Sequence, residues 1–179
     1  MSKNQKTTIF LVDDDPMFMK SMENDLLQNS HFKIKTFGTG EEVLKSVGEK
    51  PDIIFLDYYL NAIDPKAMNG LQTLKKIKAL SSEIPIVMLS SQDRLEVAVN
   101  CMKHEAFDYI VKSEAAYMRA NNVIKNIFKY RELEKDARFY KRTGITTFVF
   151  ISVLILFFFI MSMFFPGVLK TYFASPGWL

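Results

Sequence analysis

Short apolar runs punctuate the N-terminal part of the chain: Thr8 to Val12 (TIFLV), Asp52 to Leu56 (DIIFL), Pro85 to Leu89 (PIVML) and Asp108 to Val111 (DYIV), with a half-polar run, Phe32 to Phe37 (FKIKTF), after the first. Their brevity and their β-branched and aromatic content favour strands. Between them, apolar residues recur three and four apart at Met17, Met19, Met22, Leu26 and Leu27, at Val43, Leu44 and Val47, and at Leu71, Leu74, Ile77 and Leu80. That spacing gathers them on one side of a helix. A further helix is expected from Arg94 to His104. Alternating strands and helices of this size predict a doubly wound α/β domain whose parallel sheet is covered on both faces.

The pattern changes after Arg142. From Gly144 to Phe165 the sequence is GITTFVFISVLILFFFIMSMFF, without a charge. As a helix it spans about 30 Å, the thickness of a bilayer's hydrocarbon core. A domain this small cannot surround a helix that is apolar on every side, so a transmembrane helix is expected rather than a core helix. Lys135, Arg138, Lys141 and Arg142 precede the segment and only Lys170 follows it, which puts the N-terminal domain in the cytoplasm and the tail beyond Pro166-Gly167 outside. Tyr172 and Trp178 are candidate interfacial anchors.

Charge and cysteine usage narrow the function classes. The net charge of +3 is small and concentrated before the apolar segment, where it sets topology and attracts anionic headgroups. No helix-turn-helix pattern or zinc-ligand spacing follows, so no nucleic-acid partner is expected. Cys101 is the sole cysteine and offers no disulfide; it reads as a small buried hydrophobe in a reducing compartment. His31 and His104 lack partners at metal-ligand spacing.

Candidate chemistry follows the strands. Asp13-Asp14, Asp57, Ser90 and Lys112 each stand directly after an apolar run, at the sheet edge where doubly wound folds bind ligands. Asp15-Pro16 reads as a helix start, since an acid caps and proline suits the first turn. Capping does not account for three adjacent acids, which repel unless a cation compensates. In a 2-1-3 strand order Asp57 converges on Asp13 and Asp14, and such hard oxygen ligands suit Mg²⁺ shared with a phosphate. Ser90 alone reads equally well as a cap for a helix starting near Asp93, and Lys112 alone as a surface charge. Together they are suited to hold the oxygens of a transferred phosphoryl group.

The motifs IFLVDDDP, IIFLDYYL, PIVMLSSQD and FDYIVKS resemble, in order and spacing, the receiver domain of two-component response regulators over roughly residues 6–132. The resemblance implies a flavodoxin-like sheet of order 2-1-3-4-5, with Asp57 as phosphoacceptor for a histidine kinase or phosphotransfer protein. It further implies that Asp14, Asp57 and the backbone carbonyl of Tyr59 ligate Mg²⁺, with Asp13 acting through water. Ser90 and Lys112 would contact the phosphoryl group, and Tyr109 would be the aromatic switch. Such a domain is a phosphoacceptor with at most intrinsic autodephosphorylation, not an enzyme. A haloacid dehalogenase-type hydrolase would need an acid two residues after Asp57, where Tyr59 stands.

This chain departs from the family pattern at Ser113 and Asn61, where proline is usual, and in a longer loop at 62–69. The domains are therefore expected as an N-terminal tail (1–6), the receiver (7–132), a basic helical juxtamembrane linker (133–143), the transmembrane helix (144–166) and a short extracytoplasmic tail (167–179). From Glu114 to Arg142 there is neither Pro nor Gly, so one helix can run to the membrane. Met118, Ile124, Ile127, Phe128, Leu133 and Phe139 give a partial seam, which leaves a homodimer or a charged spacer. The chain thus reads as a regulator in the cytoplasmic membrane whose output is a membrane protein partner or a change in self-association. The alternative is a scaffold subunit that keeps the fold without switching.

Overall fold

The structure is a computed structural model that describes residues 6–29, 32–61 and 66–164. His31, residues 62–65 of the long loop, and Pro166, Tyr172 and Trp178 lie outside the described residues. Two compact units divide the chain, Met1–Phe128 and Lys129–Leu179.

The first unit holds a five-stranded parallel sheet formed by β1 (Thr8–Val12), β2 (Lys33–Phe37), β3 (Ile53–Asp57), β4 (Ile86–Ser90) and β5 (Asp108–Val111), in the order β2-β1-β3-β4-β5. This is the expected topology. The connecting helices are α1 (Pro16–Asn29), α2 (Gly40–Ser46) with a 3-10 turn at Val47–Glu49, α3 (Gly70–Leu80), α4 (Leu95–Lys103) and α5, which begins at Ala116.

Successive strand residues point to opposite faces, so each central strand feeds two cores. Ile9, Leu11, Ile53, Phe55 and Val87 pack with Met22 and Leu26 of α1 and with Ala120, Ile124 and Ile127 of α5. Phe10, Val12, Ile54, Leu56 and Ile86 pack with Val43, Leu74, Ile77 and Cys101 on the other side. Burying such a side chain stabilises the fold by about 1.5–3 kcal/mol. β2 is the edge strand beside β1, and none of its residues is fully buried, which explains why its run is half polar.

Several apolar positions sit differently from their expected places. Met17 is 81% exposed and Leu27 is 45% exposed, whereas Phe18, Met22 and Leu26, each four residues apart, face the core. The ring of Phe18 therefore starts the α1 stripe one residue later than the methionines suggest. Leu80, at the last position of α3, is exposed. α4 starts at Leu95 with Arg94 at its N-cap and no side-chain cap bond, so Ser90 does not cap it. In the suggested α5 seam, Ile124 and Ile127 are buried in the receiver core and are already spent on folding, while Met118, Leu133 and Phe139 are exposed.

α5 (Ala116–Phe164) continues through the second unit without a break at Gly144. Its segment Thr143–Met161 has a mean hydropathy of 2.6 and is wholly unburied. Its 19 residues rise about 28 Å, long enough to cross a bilayer. The hydroxyls of Thr143, Thr146, Thr147 and Ser152 donate back to carbonyls of the same helix at 2.8–3.1 Å. Each thus has a partner without water, as a hydrocarbon surrounding requires.

Candidate functional site

The turn after β1 separates its three acids by role. Asp15 Oδ1 accepts from the N–H groups of Met17 (2.9 Å) and Phe18 (3.2 Å), capping α1 as expected. Its own N–H donates to Asp13 Oδ1 at 3.0 Å, which fixes the Asp13 carboxylate. Asp14 Oδ2 is buried and has no hydrogen-bond partner.

Asp57 ends β3, one of the two fully buried strands. Its Oδ2 accepts from the Tyr59 N–H at 2.9 Å. Gly70 starts α3 directly against its backbone: the Gly70 N–H donates to the Tyr58 carbonyl at 2.9 Å, and a Cβ at position 70 would lie within 1.9 Å of the Asp57 carbonyl oxygen. Asn69 and Gln72 complete a capping box that fixes this start.

Lys112, just beyond β5, joins the two strand ends. Its Nζ lies 2.6 Å from Asp13 Oδ2 and 2.8 Å from Asp57 Oδ1. Both are close ion pairs. The ammonium also sits 4.7 Å from the centre of the Phe18 ring, a cation–π contact. The Lys112–Ser113 peptide is trans, like the other peptides among the described residues.

Burial sets the electrostatics. Asp13 and Asp57 are 1% and 2% exposed. Desolvation pushes Asp13 up to about 6 against the pull of Lys112, and raises Asp57 as well. Lys112 is held above its ordinary value because the attraction of Asp57 and Asp13 outweighs its own burial. One ammonium faces three carboxylates whose oxygens lie within 4.8 Å of one another. That excess of negative charge, together with the unpartnered Asp14 oxygen, fits a hard divalent cation.

Ser90 and Tyr109 meet a third residue. The fully buried Ser90 accepts through Oγ from the Gln92 N–H at 3.2 Å. The Tyr109 hydroxyl donates to the Gln92 carbonyl at 2.6 Å and also lies within hydrogen-bonding reach of the Ser90 side chain. The Tyr59 hydroxyl donates to Gln92 Oε1 at 2.8 Å. Asp13 and Asp57 therefore touch Lys112 directly, whereas Ser90 and Tyr109 are each tied to Gln92. Reading the sequence missed Phe18, Gln92 and the Tyr59 side chain. Only Phe18 left a signal, its four-residue spacing from Met22. Cys101 is buried and free, and desolvation pushes its thiol up to about 11.

A family model described as the response regulator receiver domain matches residues 9–121. The protein-glutamate methylesterase/protein-glutamine glutaminase of Bacillus subtilis is 40% identical over 108 residues, which is 57% of this chain and 28% of the relative. The regulatory protein LuxO of Vibrio cholerae is 30% identical over 122 residues, 66% of this chain and 26% of the relative. The chain thus spans less than a third of either relative. Among solved structures, the receiver domain of NtrX from Brucella abortus superposes with a TM-score of 0.60 at 26% identity, covering 68% of this chain and 98% of that one.

Proposed function

The chain belongs to the response regulator receiver domain family, whose members accept a phosphoryl group on an aspartate, and we propose that Asp57 is that acceptor here. The observation that supports this most is Lys112 Nζ set between Asp57 Oδ1 and Asp13 Oδ2, beside an acid cluster with an unpartnered oxygen. A carboxylate oxygen of Asp57 attacks the phosphorus of a phosphohistidine on a kinase or phosphotransfer protein. The P–N bond breaks with its electron pair going to the imidazole, and a P–O bond leaves an acyl phosphate on Asp57.

Asp14, Asp57 and the Tyr59 carbonyl would hold Mg²⁺, with Asp13 supporting it through water, and the cation would supply charge neutralisation at the phosphoryl oxygens. Lys112 pairs with the same oxygens, already oriented by Asp13 and by the ring of Phe18. Ser90 donates its hydroxyl to the phosphoryl group, and Tyr109 follows, shifting the population between two arrangements.

In the second unit, the apolar segment of α5 that begins at Gly144 anchors the receiver (7–132) through the linker (133–143), with the domain in the cytoplasm and the tail (167–179) outside. Supporting this are the exposed apolar surface of Thr143–Met161 and the basic residues before it. Output then goes to a membrane protein partner or to self-association rather than to DNA. The test is the full chain in detergent with Mg²⁺ and acetyl phosphate, followed by intact mass. A phosphate adduct lost in Asp57→Asn is expected; an unmodified wild type would leave a non-switching scaffold.

A further inference from the structure

The stripe by which α5 packs on the sheet, with Ala120, Ile124 and Ile127, ends at Phe128, and the helix then turns mostly charged up to Arg142. A second apolar stripe begins within that charged stretch. From Leu133, steps of four and three residues reach Ala137, Tyr140, Gly144, Thr147 and Ile151, and go on to Leu154 and Phe158 in the apolar segment. An unbroken seven-residue repeat of this kind is the spacing of a seam between two helices. Leu133, Ala137, Tyr140 and Gly144 are all exposed, so the described residues leave the seam uncovered. Gly144 is informative because glycine inside a helix weakens it relative to alanine. An added Cβ there would meet nothing within 4 Å, so its own chain does not require the small residue. With Ala137 one repeat earlier, it lets a second helix approach closely.

The flanks of the seam say which helix that is. Lys129 and Asp136 stand on one side of it, one repeat apart, and Glu134 and Lys141 stand on the other. In a parallel pair in register, each residue of the first set faces the residue five positions further along the other helix. Lys129 then meets Glu134 and Asp136 meets Lys141, each twice across the pair. A slip of one repeat sets Lys129 against Lys141 and Asp136 against Glu134, so like charges oppose the wrong register. Lys129 and Glu134 are exposed and take part in no ion pair among the described residues. Resting on the reading of α5 as the membrane anchor, we propose that residues 133–158 are the docking surface for a second copy of this chain, paired in parallel and in register. Two copies anchored with the same topology can pair in no other direction. The seam lies wholly beyond the receiver core, so the pair needs no phosphoryl group.

The test is disulfide crosslinking of the full chain in membranes with copper phenanthroline, one introduced cysteine at a time. The wild type is the control, since its Cys101 is buried. Leu133→Cys, Ala137→Cys and Tyr140→Cys are expected to crosslink about tenfold more than Glu132→Cys, Lys135→Cys and Phe139→Cys, which lie off the seam. In detergent, Lys129→Glu and Glu134→Lys each create two like-charge contacts across the pair and are expected to weaken dimerisation by about three- to tenfold. Combining the two substitutions is expected to restore it. Crosslinking that is even around the helix, or strongest at positions 132, 135 and 139, would overturn the pairing. So would single charge variants that dimerise like the wild type, or a double variant as weak as either single one. A full chain that stays in the supernatant would overturn the anchor reading and the pairing with it, whereas a membrane-bound chain without the periodic pattern would overturn the pairing alone.

Discussion

The two units invert each other's rule of burial. In the receiver, Asp13 and Asp57 are buried with a lysine between them, and the large side chains of β1, β3 and β4 are removed from solvent. In Thr143–Met161, Phe148, Leu154, Phe157 and Phe159 are exposed along a segment that holds no charge. Both arrangements are costly in water unless something compensates. For the carboxylates the compensation is the Lys112 ammonium held among the strand ends, to which the proposed divalent cation would add. For the helix it would be the proposed bilayer, since a surface that is apolar on every side is stable in hydrocarbon.

The largest test of this contrast is partition. The full chain is expected to sediment with membranes and to resist high-salt extraction, whereas a chain ending at Arg142 stays in the supernatant; a soluble full chain would break the comparison. Next comes Phe55→Ala, which empties the receiver core and is expected to cost about 3–5 kcal/mol in urea unfolding. Phe157→Ala, its counterpart in the exposed segment, is expected to leave the receiver transition where it was.

A smaller effect concerns pH. In the folded chain Asp13 holds its proton up to about pH 6, while an unfolded aspartate releases it near 3.8. Between those values the native state binds more protons, so without a divalent cation stability falls as the pH rises, by on the order of 1–3 kcal/mol. Saturating Mg²⁺ favours the ionised carboxylate and is expected to flatten that slope in thermal melts from pH 4 to 7. The smallest effect is Asn69→Ala, which removes the α3 capping box at about 1 kcal/mol.

How much of this was legible in the sequence depended on the range of the interaction. β3 and β4 were plain because strands buried on both faces must be apolar throughout, and the polar residue that ends each run marks where burial can be traded for chemistry. Asp15 was legible as a cap because its partners lie two and three residues away. Met17 misled because it is as apolar as Phe18 but lies one position, about 100°, around the helix from the core stripe. Ile124 and Ile127 read as a seam for a partner because a helix stripe does not say whether it faces its own sheet or another chain. Gln92 left no pattern at all. Its contact with Tyr59 bridges 33 positions and depends on how two loops approach, which periodicity does not encode.

Gly70 has no side chain, yet it is where the Asp57 backbone meets the start of α3, with room for no atom beyond the hydrogen it carries. In a library varied at every position, Asp57 would tolerate Asn or Ala as far as folding is concerned and lose only its chemistry. Position 70 would behave in the opposite way, because even a methyl group must displace the Asp57 carbonyl. Abundance and phosphorylation scores measured across such a library would therefore separate at Asp57 and fall together at Gly70. The most restricted position beside the Asp57 carboxylate would be the one that contributes no functional group.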